Sequence, residues 1–157
     1  MSAAVEFEHI INEINESIRR QMESRCVRGS NELRNAAMLV LRGQGSGRSY
    51  KLPGTYKRRV RNKATGRLRS GRYYTASAPG SPPAVRTGAF RNSWQPMSYI
   101  VYGSYISRVE SDLEVNGYIL GSLLEDGTSK MAPRPHHDRI LDKAAPKILK
   151  IYNEPYF

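Results

Sequence analysis

Apolar residues recur at three- and four-residue intervals near the start of the chain, at Phe7, Ile10, Ile11, Ile14, Ile18 and Met22, with Glu8, Asn12, Glu16, Arg19 and Arg20 between them. This spacing predicts an amphipathic helix over residues 5–26 whose apolar stripe has to be covered by something. The pattern resumes at Leu33, Ala36, Ala37, Val40 and Leu41. Gly29 lies between the two parts and costs about 1 kcal/mol relative to alanine inside a helix. Glu32 and the following alanines are good helix formers, so a nearly continuous helix is expected. It stops near Arg42, where GQGSG (residues 43–47) supplies three glycines that read as a helix stop and a hinge.

Further along, the period changes. SYIVYGSYISRVES (residues 98–111) alternates in part and is rich in Tyr, Ile and Val, which predicts strands interrupted at Gly103. Asn116 and Gly117 suit the left-handed positions of a tight turn leading into a strand over Tyr118–Leu124, giving an antiparallel meander of three or four short strands. After Pro135 a second helical stripe runs through Ile140, Leu141, Ala144, Ala145, Ile148, Leu149 and Tyr152. Pro146 falls inside it and is expected to bend it or detach its last turns. The elements together predict an α+β fold: a long N-terminal helix and a C-terminal helix packed on a small antiparallel sheet, as one domain over residues 1–157. Only one sheet face finds a cover within the chain, so a neighbouring subunit is the expected cover for the other.

Charge changes the picture in one place only. The formal net charge is +11, yet residues 48–72 hold ten basic groups and no acid, and the remaining chain is close to neutral. The ten are Arg48, Lys51, Lys57, Arg58, Arg59, Arg61, Lys63, Arg67, Arg69 and Arg72. Apolar residues are too sparse there to form a core, so the insertion over residues 43–76 reads as a long surface loop or loose hairpin. Its tyrosines, Tyr50, Tyr56, Tyr73 and Tyr74, can anchor its two ends or stack on bases. It contacts DNA, met through phosphates because no sequence-reading motif is present, or an acidic protein surface, or it is a solvated loop with no partner. No apolar run reaches the roughly 20 residues that a membrane span needs, and Glu6 and Glu8 precede any hydrophobic stretch, so the chain is expected in the cytoplasm where it is made. The single cysteine, Cys26, excludes an intramolecular disulfide and a cysteine zinc site, and is expected to be a small buried or half-buried side chain in or beside a helix.

Candidate chemistry is thin. GQGSGRS (residues 43–49) has a passing likeness to a phosphate-binding loop but lacks the lysine, the preceding strand and the following helix. His136, His137 and Asp138 form the densest polar cluster, with His9 far from them in sequence; the histidines read as surface or interface residues, and Asp138 suits a helix N-terminus. Glu125 and Asp126 are adjacent, so on a strand they point to opposite faces and do not form a carboxylate pair. No catalytic residue, metal ligand or cofactor site is expected, and the chain does not read as an enzyme.

Three segments together resemble one family. They are SAPGSPPAVRTGAFRNSW (residues 77–94), YILGSLLEDGTSKMAPRPHHDRIL (residues 118–141) and the closing helix through Leu149. A proline-rich arm with Pro79, Pro82 and Pro83 leads to a TG-x-L-R-x-S-like element, here Thr87, Gly88, Phe90, Arg91 and Ser93. An E-x-GT-like turn follows at Glu125, Gly127 and Thr128, and the pair Arg134 and Pro135 opens the last helix. The combination is similar to the tail-completion or head-tail joining family of long-tailed bacteriophages. Phe90 departs from the usual leucine, His136 and His137 stand where an aromatic and an aliphatic residue are commoner, and the basic insertion is longer than such proteins generally need.

The resemblance implies a non-enzymatic virion protein of the neck, the junction of head and tail, forming a ring of six or twelve copies. Its implied partners are connector, stopper, terminator or tail-tube proteins, with non-specific contact to packaged DNA and no membrane. Rigid prolines lower the entropy lost when the arm is fixed against a neighbour. The arm, Arg86, Thr87, Gly88, Phe90, Arg91, Trp94, Glu125, Gly127, Thr128, Arg134 and Pro135 are therefore candidate subunit-interface residues. Arg86 and Arg91 are placed to pair with Glu125 and Asp126 of an adjacent copy. The alternatives are a nucleic-acid-binding module that uses residues 48–72 without sequence preference, and a tail terminator or head-closure (stopper) protein.

Overall fold

The computed structural model describes residues 3–43, 45–51, 60–61, 68–69 and 73–156, with residues 3, 4, 60, 61, 68 and 69 described by backbone alone. In chain order its elements are α1 (Ala3–Val40), β1 (Ser49–Lys51), β2 (Val60–Arg61), β3 (Leu68–Arg69), β4 (Tyr73–Thr75), α2 (Ala89–Asn92), β5 (Gln95–Val101), β6 (Ser104–Glu110), β7 (Glu114–Val115), β8 (Tyr118–Ile119), α3 (Leu120–Asp126) and α4 (His137–Tyr152). A long N-terminal helix, a C-terminal helix and small antiparallel sheets make this an α+β fold. The chain divides into two compact units. Met1–Met38, Trp94–Ser111 and Ile140–Phe157 form the first, and Leu39–Ser93 with Asp112–Arg139 form the second.

In the first unit α1 runs unbroken through Gly29, and the structure explains why a glycine stands there. A Cβ on Gly29 would lie 2.7 Å from Ser107 Oγ of β6. That hydroxyl donates to the Cys26 carbonyl at 2.8 Å and meets the Tyr152 hydroxyl at 2.8 Å, tying α1, β6 and α4 together. Small residues continue the close approach. Ala36, Ala37 and Ala144 are buried with Cys26, Trp94 and Ile140. Arg34 Nε donates to the Trp94 carbonyl at 3.1 Å, and Lys147 Nζ lies 2.8 Å from Glu32 Oε2. Strands β5 and β6 pair from Gln95↔Glu110 to Val101↔Ser104 around Tyr102 and Gly103, both at positive φ, as a two-residue hairpin requires. Pro146 leaves α4 continuous. Both Pro146 and Asp142, whose carbonyl loses its donor, are exposed, so solvent can take that bond.

Two expectations about the strands change. The meander is not one sheet: β5–β6 and β7–β8 are separate two-stranded ladders, and β1–β4 and β2–β3 are two more. The predicted strand over Tyr118–Leu124 ends at Ile119 and becomes α3. Leu120, Leu123 and Leu124 sit at three- and four-residue spacing, so a helix buries Leu124 and Gly121 on one side where a strand would split the leucines between two faces. The basic insertion is a hairpin at its base, with Ser49↔Thr75, Tyr50↔Tyr74 and Lys51↔Tyr73 in register and the Tyr50 and Tyr74 rings stacked at 5.6 Å.

Of the three glycines after α1, Gly45 and Gly47 pack closely against residues 75–78. A Cβ on Gly45 would collide with the Thr75 carbonyl oxygen, and one on Gly47 would lie 2.9 Å from that of Ser77. The Gly47 N–H donates to the Ala76 carbonyl at 2.8 Å, extending the hairpin ladder.

Candidate functional site

Residues 77–93 and 118–139, most of the residues that carried the family resemblance, belong to the second unit, and the closing helix from Ile140 belongs to the first. Thr87 Oγ1 accepts the Ala89 N–H at 3.2 Å and Gly88 takes φ +82°, a left-handed conformation that glycine adopts without strain. The single turn of α2 follows, closed by Ser93 Oγ donating to the Phe90 carbonyl at 2.8 Å. Phe90 stands edge-on to His136 with ring centroids 5.5 Å apart and packs over Gly121 of α3. The arm is held at several points. The Gly80 N–H donates to the Pro133 carbonyl at 3.0 Å, Arg139 Nη2 donates to the Gly80 carbonyl at 3.1 Å, and Val85 N–H donates to the Gly43 carbonyl at 3.2 Å. Pro83 is buried, while Pro79 is exposed and Pro82 half-buried.

His136 corrects the expectation of a surface histidine: it is fully buried. Glu125 Oε2 accepts the backbone N–H groups of His136 at 2.9 Å and His137 at 3.3 Å, so the carboxylate at the end of α3 caps the start of α4. His136 Nδ1 lies 2.8 Å from the same oxygen and 3.1 Å from the Arg134 carbonyl. Burial pushes the His136 pKa down, and the neighbouring His137 adds to this; the Arg134 carbonyl and the Glu125 charge act the other way without overcoming it. The ring is therefore neutral in the fold, with its Nδ1 proton directed at these two acceptors. Glu125, His136 and His137 place ligand atoms within 4.8 Å of one another and by donor type could hold a divalent cation, although Glu125 Oε2 already serves as the helix cap.

This arrangement sets a pH dependence. An unfolded histidine titrates near 6.5, and the buried one titrates lower, so its contribution to stability is complete above about pH 6.5 and is lost as pH falls through the folded value. The melting temperature is expected to drop between pH 7.5 and pH 5, and His136→Gln should flatten that drop. An unchanged slope in the variant would remove His136 as its source.

Between β1–β4, the arm, α2 and α3 lies a cavity of about 950 Å³. Leu41, Pro83, Phe90, Leu113, Leu120 and Leu124 line it with apolar surface, and Arg48, Arg86, Arg91, Lys130 and Arg134 line it with positive charge. Among the described residues no Asp or Glu lines it. Arg48 lies over the Tyr50 ring at 5.7 Å and Arg86 over the Tyr74 ring at 4.7 Å, so the stacked tyrosines carry a cation on each side. Nε of Arg91 and Nε of Arg134 are buried and have no hydrogen-bond partner among the described residues.

The sequence-derived interface residues thus separate into groups. Arg86, Thr87, Gly88, Phe90, Arg91, Arg134, Pro79 and Pro83 line the cavity. Glu125 is used inside the chain as a cap and lies, like Asp126, at the end of a helix and not on a strand. Trp94 is buried in the first unit. Gly127 and Thr128 form the turn after α3, where Thr128 and Met131 exchange backbone hydrogen bonds, and Pro135 is half-buried beside it. Of the ten basic candidates, Arg48 is exposed just before β1 and Lys51 is exposed at its end, and Arg61 and Arg69 belong to β2 and β3, described by backbone alone; Lys57, Arg58, Arg59, Lys63, Arg67 and Arg72 lie outside the described residues. Sequence reasoning missed Lys130 as a site residue and missed the apolar floor; the leucines of α3, read as a strand, were the available signal.

No protein-family model, no curated protein and no solved structure matches the chain. Among the described residues no helix is long and apolar enough to cross a membrane.

Proposed function

We propose that the chain is a structural subunit of a tailed bacteriophage, forming a ring at the neck that completes the tail or joins it to the head. One observation carries this reading beyond the resemblance. Phe7, Ile10, Ile11 and Ile14 form a stripe along α1 that is 39 to 67% exposed, a run of large apolar side chains that calls for a partner surface. Met97, Ile100 and Val101 of β5 are exposed as well, which fits a fold whose remaining surfaces are covered by neighbours. Identical subunits that repeat one contact by rotation close into a ring and cover such surfaces without a second protein. Localisation in the virion and neighbours in the connector or tail tube belong to the same reading.

The test is the native mass of the protein, alone and mixed with purified tails, at low and high salt. A ring of six or twelve copies, formed alone or only on tails, is the expected result. A monomer indifferent to tails that binds duplex DNA at low salt and releases it at high salt would replace this reading with a nucleic-acid module.

A further inference from the structure

The cavity of the second unit combines two properties that define its occupant. Among the described residues five cations and no carboxylate line it, and none of Arg48, Arg86, Arg91, Lys130 and Arg134 belongs to an ion pair. Its floor, built on Leu41, Leu120 and Leu124, is apolar. The matching ligand is therefore both acidic and hydrophobic. A nucleic-acid backbone satisfies the first requirement and leaves the apolar floor unused.

The chain itself carries a surface of that chemistry. In a protein of net charge +11, residues 1–18 contain four glutamates and no lysine or arginine. Within them Phe7 is 67% exposed and Ile10 is 52% exposed. At helical spacing Glu6 flanks this stripe on one edge and Glu8 on the other, and neither is ion-paired among the described residues, whereas Glu13 and Glu16 have partners in His9 and Arg20. We propose that the N-terminal end of α1 from a second copy docks into this cavity, with Phe7 and Ile10 on the apolar floor and Glu6 and Glu8 against the arginines.

Helix length requires a second copy. A helix of 38 residues is roughly 57 Å long at 1.5 Å per residue, so the start of α1 does not reach back to Leu41, which follows its last turn. The contact is head-to-tail, joining two different surfaces of one chain, and repetition by rotation closes it into a ring. The inference rests on the ring reading above and names the contact that builds the ring.

Charge exchange tests it in the full-length chain. One variant carries Glu6→Lys and Glu8→Lys; the other carries Arg86→Glu and Lys130→Glu, both at exposed positions. By sedimentation, each variant alone is expected to associate about 100-fold more weakly than the original chain, and a 1:1 mixture to recover the original assembly, because each reversed surface then meets its complement. Recovery on mixing also shows that both variants are folded. If each variant assembles as the original does, the contact is wrong while the ring reading stands. A chain that stays monomeric at every concentration overturns the contact, and the tail-binding experiment then decides the neck reading separately. If only the cavity variant is impaired, and what it loses is binding to a short DNA duplex, the occupant is nucleic acid and the inference fails.

Discussion

Arg25→Ala is expected to lower the stability of the first unit by about 3 kcal/mol. Arg25 is 2% exposed, an unusual position for a guanidinium, and no carboxylate pairs with it among the described residues. Its charge is held by the end of the closing helix. Nη1 donates to the Tyr152 carbonyl at 3.3 Å, Nη2 donates to the Pro155 carbonyl at 2.9 Å, and the guanidinium lies over the Tyr156 ring at 3.9 Å. A cation at a helix C-terminus is favoured by the partial negative charge of its unpaired carbonyls. Alanine removes two charge-assisted hydrogen bonds and the packing of the stem, and it leaves the Tyr152 and Pro155 carbonyls without this donor. For a chain of this length that loss corresponds to a fall in melting temperature of roughly 10 °C. Arg25→Lys should recover only part of it, since a single ammonium cannot serve both carbonyls and also stack on the tyrosine. Thermal and urea denaturation of both variants checks this, and an unchanged transition in Arg25→Ala would show that Arg25 does not hold α4 to α1.

The second large effect is expected at Gly127, where alanine should cost the second unit about 4 kcal/mol. Gly127 has φ +78° and ψ −172°, a region that side chains other than glycine essentially avoid. A Cβ there would also lie 2.7 Å from the Met131 carbonyl oxygen and 2.8 Å from the Pro133 nitrogen, both backbone atoms that cannot rotate away. The turn it forms is closed by Thr128 and Met131, and the Arg134 N–H then donates to the Leu124 carbonyl at 2.8 Å. That geometry sets Lys130 and Arg134 at the cavity wall and brings Glu125 to the start of α4. Gly103 is the control. It has φ +79° with nothing within 4 Å of an added Cβ, so Gly103→Ala should cost only about 1 kcal/mol. Equal effects of the two substitutions, measured by denaturation, would sink the argument that crowding at Gly127 matters.

Only Gly127 was visible in the sequence, and for a reason that the structure replaces. Gly127 and Thr128 stood out as a turn-like pair within a family resemblance, and their physical role is a backbone conformation followed by a close approach. Arg25 did not stand out at all. An arginine inside an amphipathic helix reads as solvated, and only the arrival of residues 152–156 beside it makes it a buried cap. Glu125 shows the same limit: its pairing with two backbone N–H groups depends on α3 ending where α4 begins.

Local patterning by itself determined the two long helices, the break after Arg42, the β5–β6 hairpin turn at Gly103 and the Asn116–Gly117 turn. Each depends on the spacing of apolar residues or on backbone freedom within a few positions. The confinement of charge to residues 48–72 was equally plain, because composition needs no coordinates. Tertiary structure alone decided that Leu120–Asp126 is a helix, since a short apolar run fits either period until a neighbour such as Phe90 supplies one face to pack against. It also decided that Gly29 permits contact with Ser107, that His136 is buried and neutral, and that cations from four separate segments line one cavity. Those outcomes depend on residues distant in the chain sharing one volume, where burial, charge and hydrogen bonding are set by all of them together.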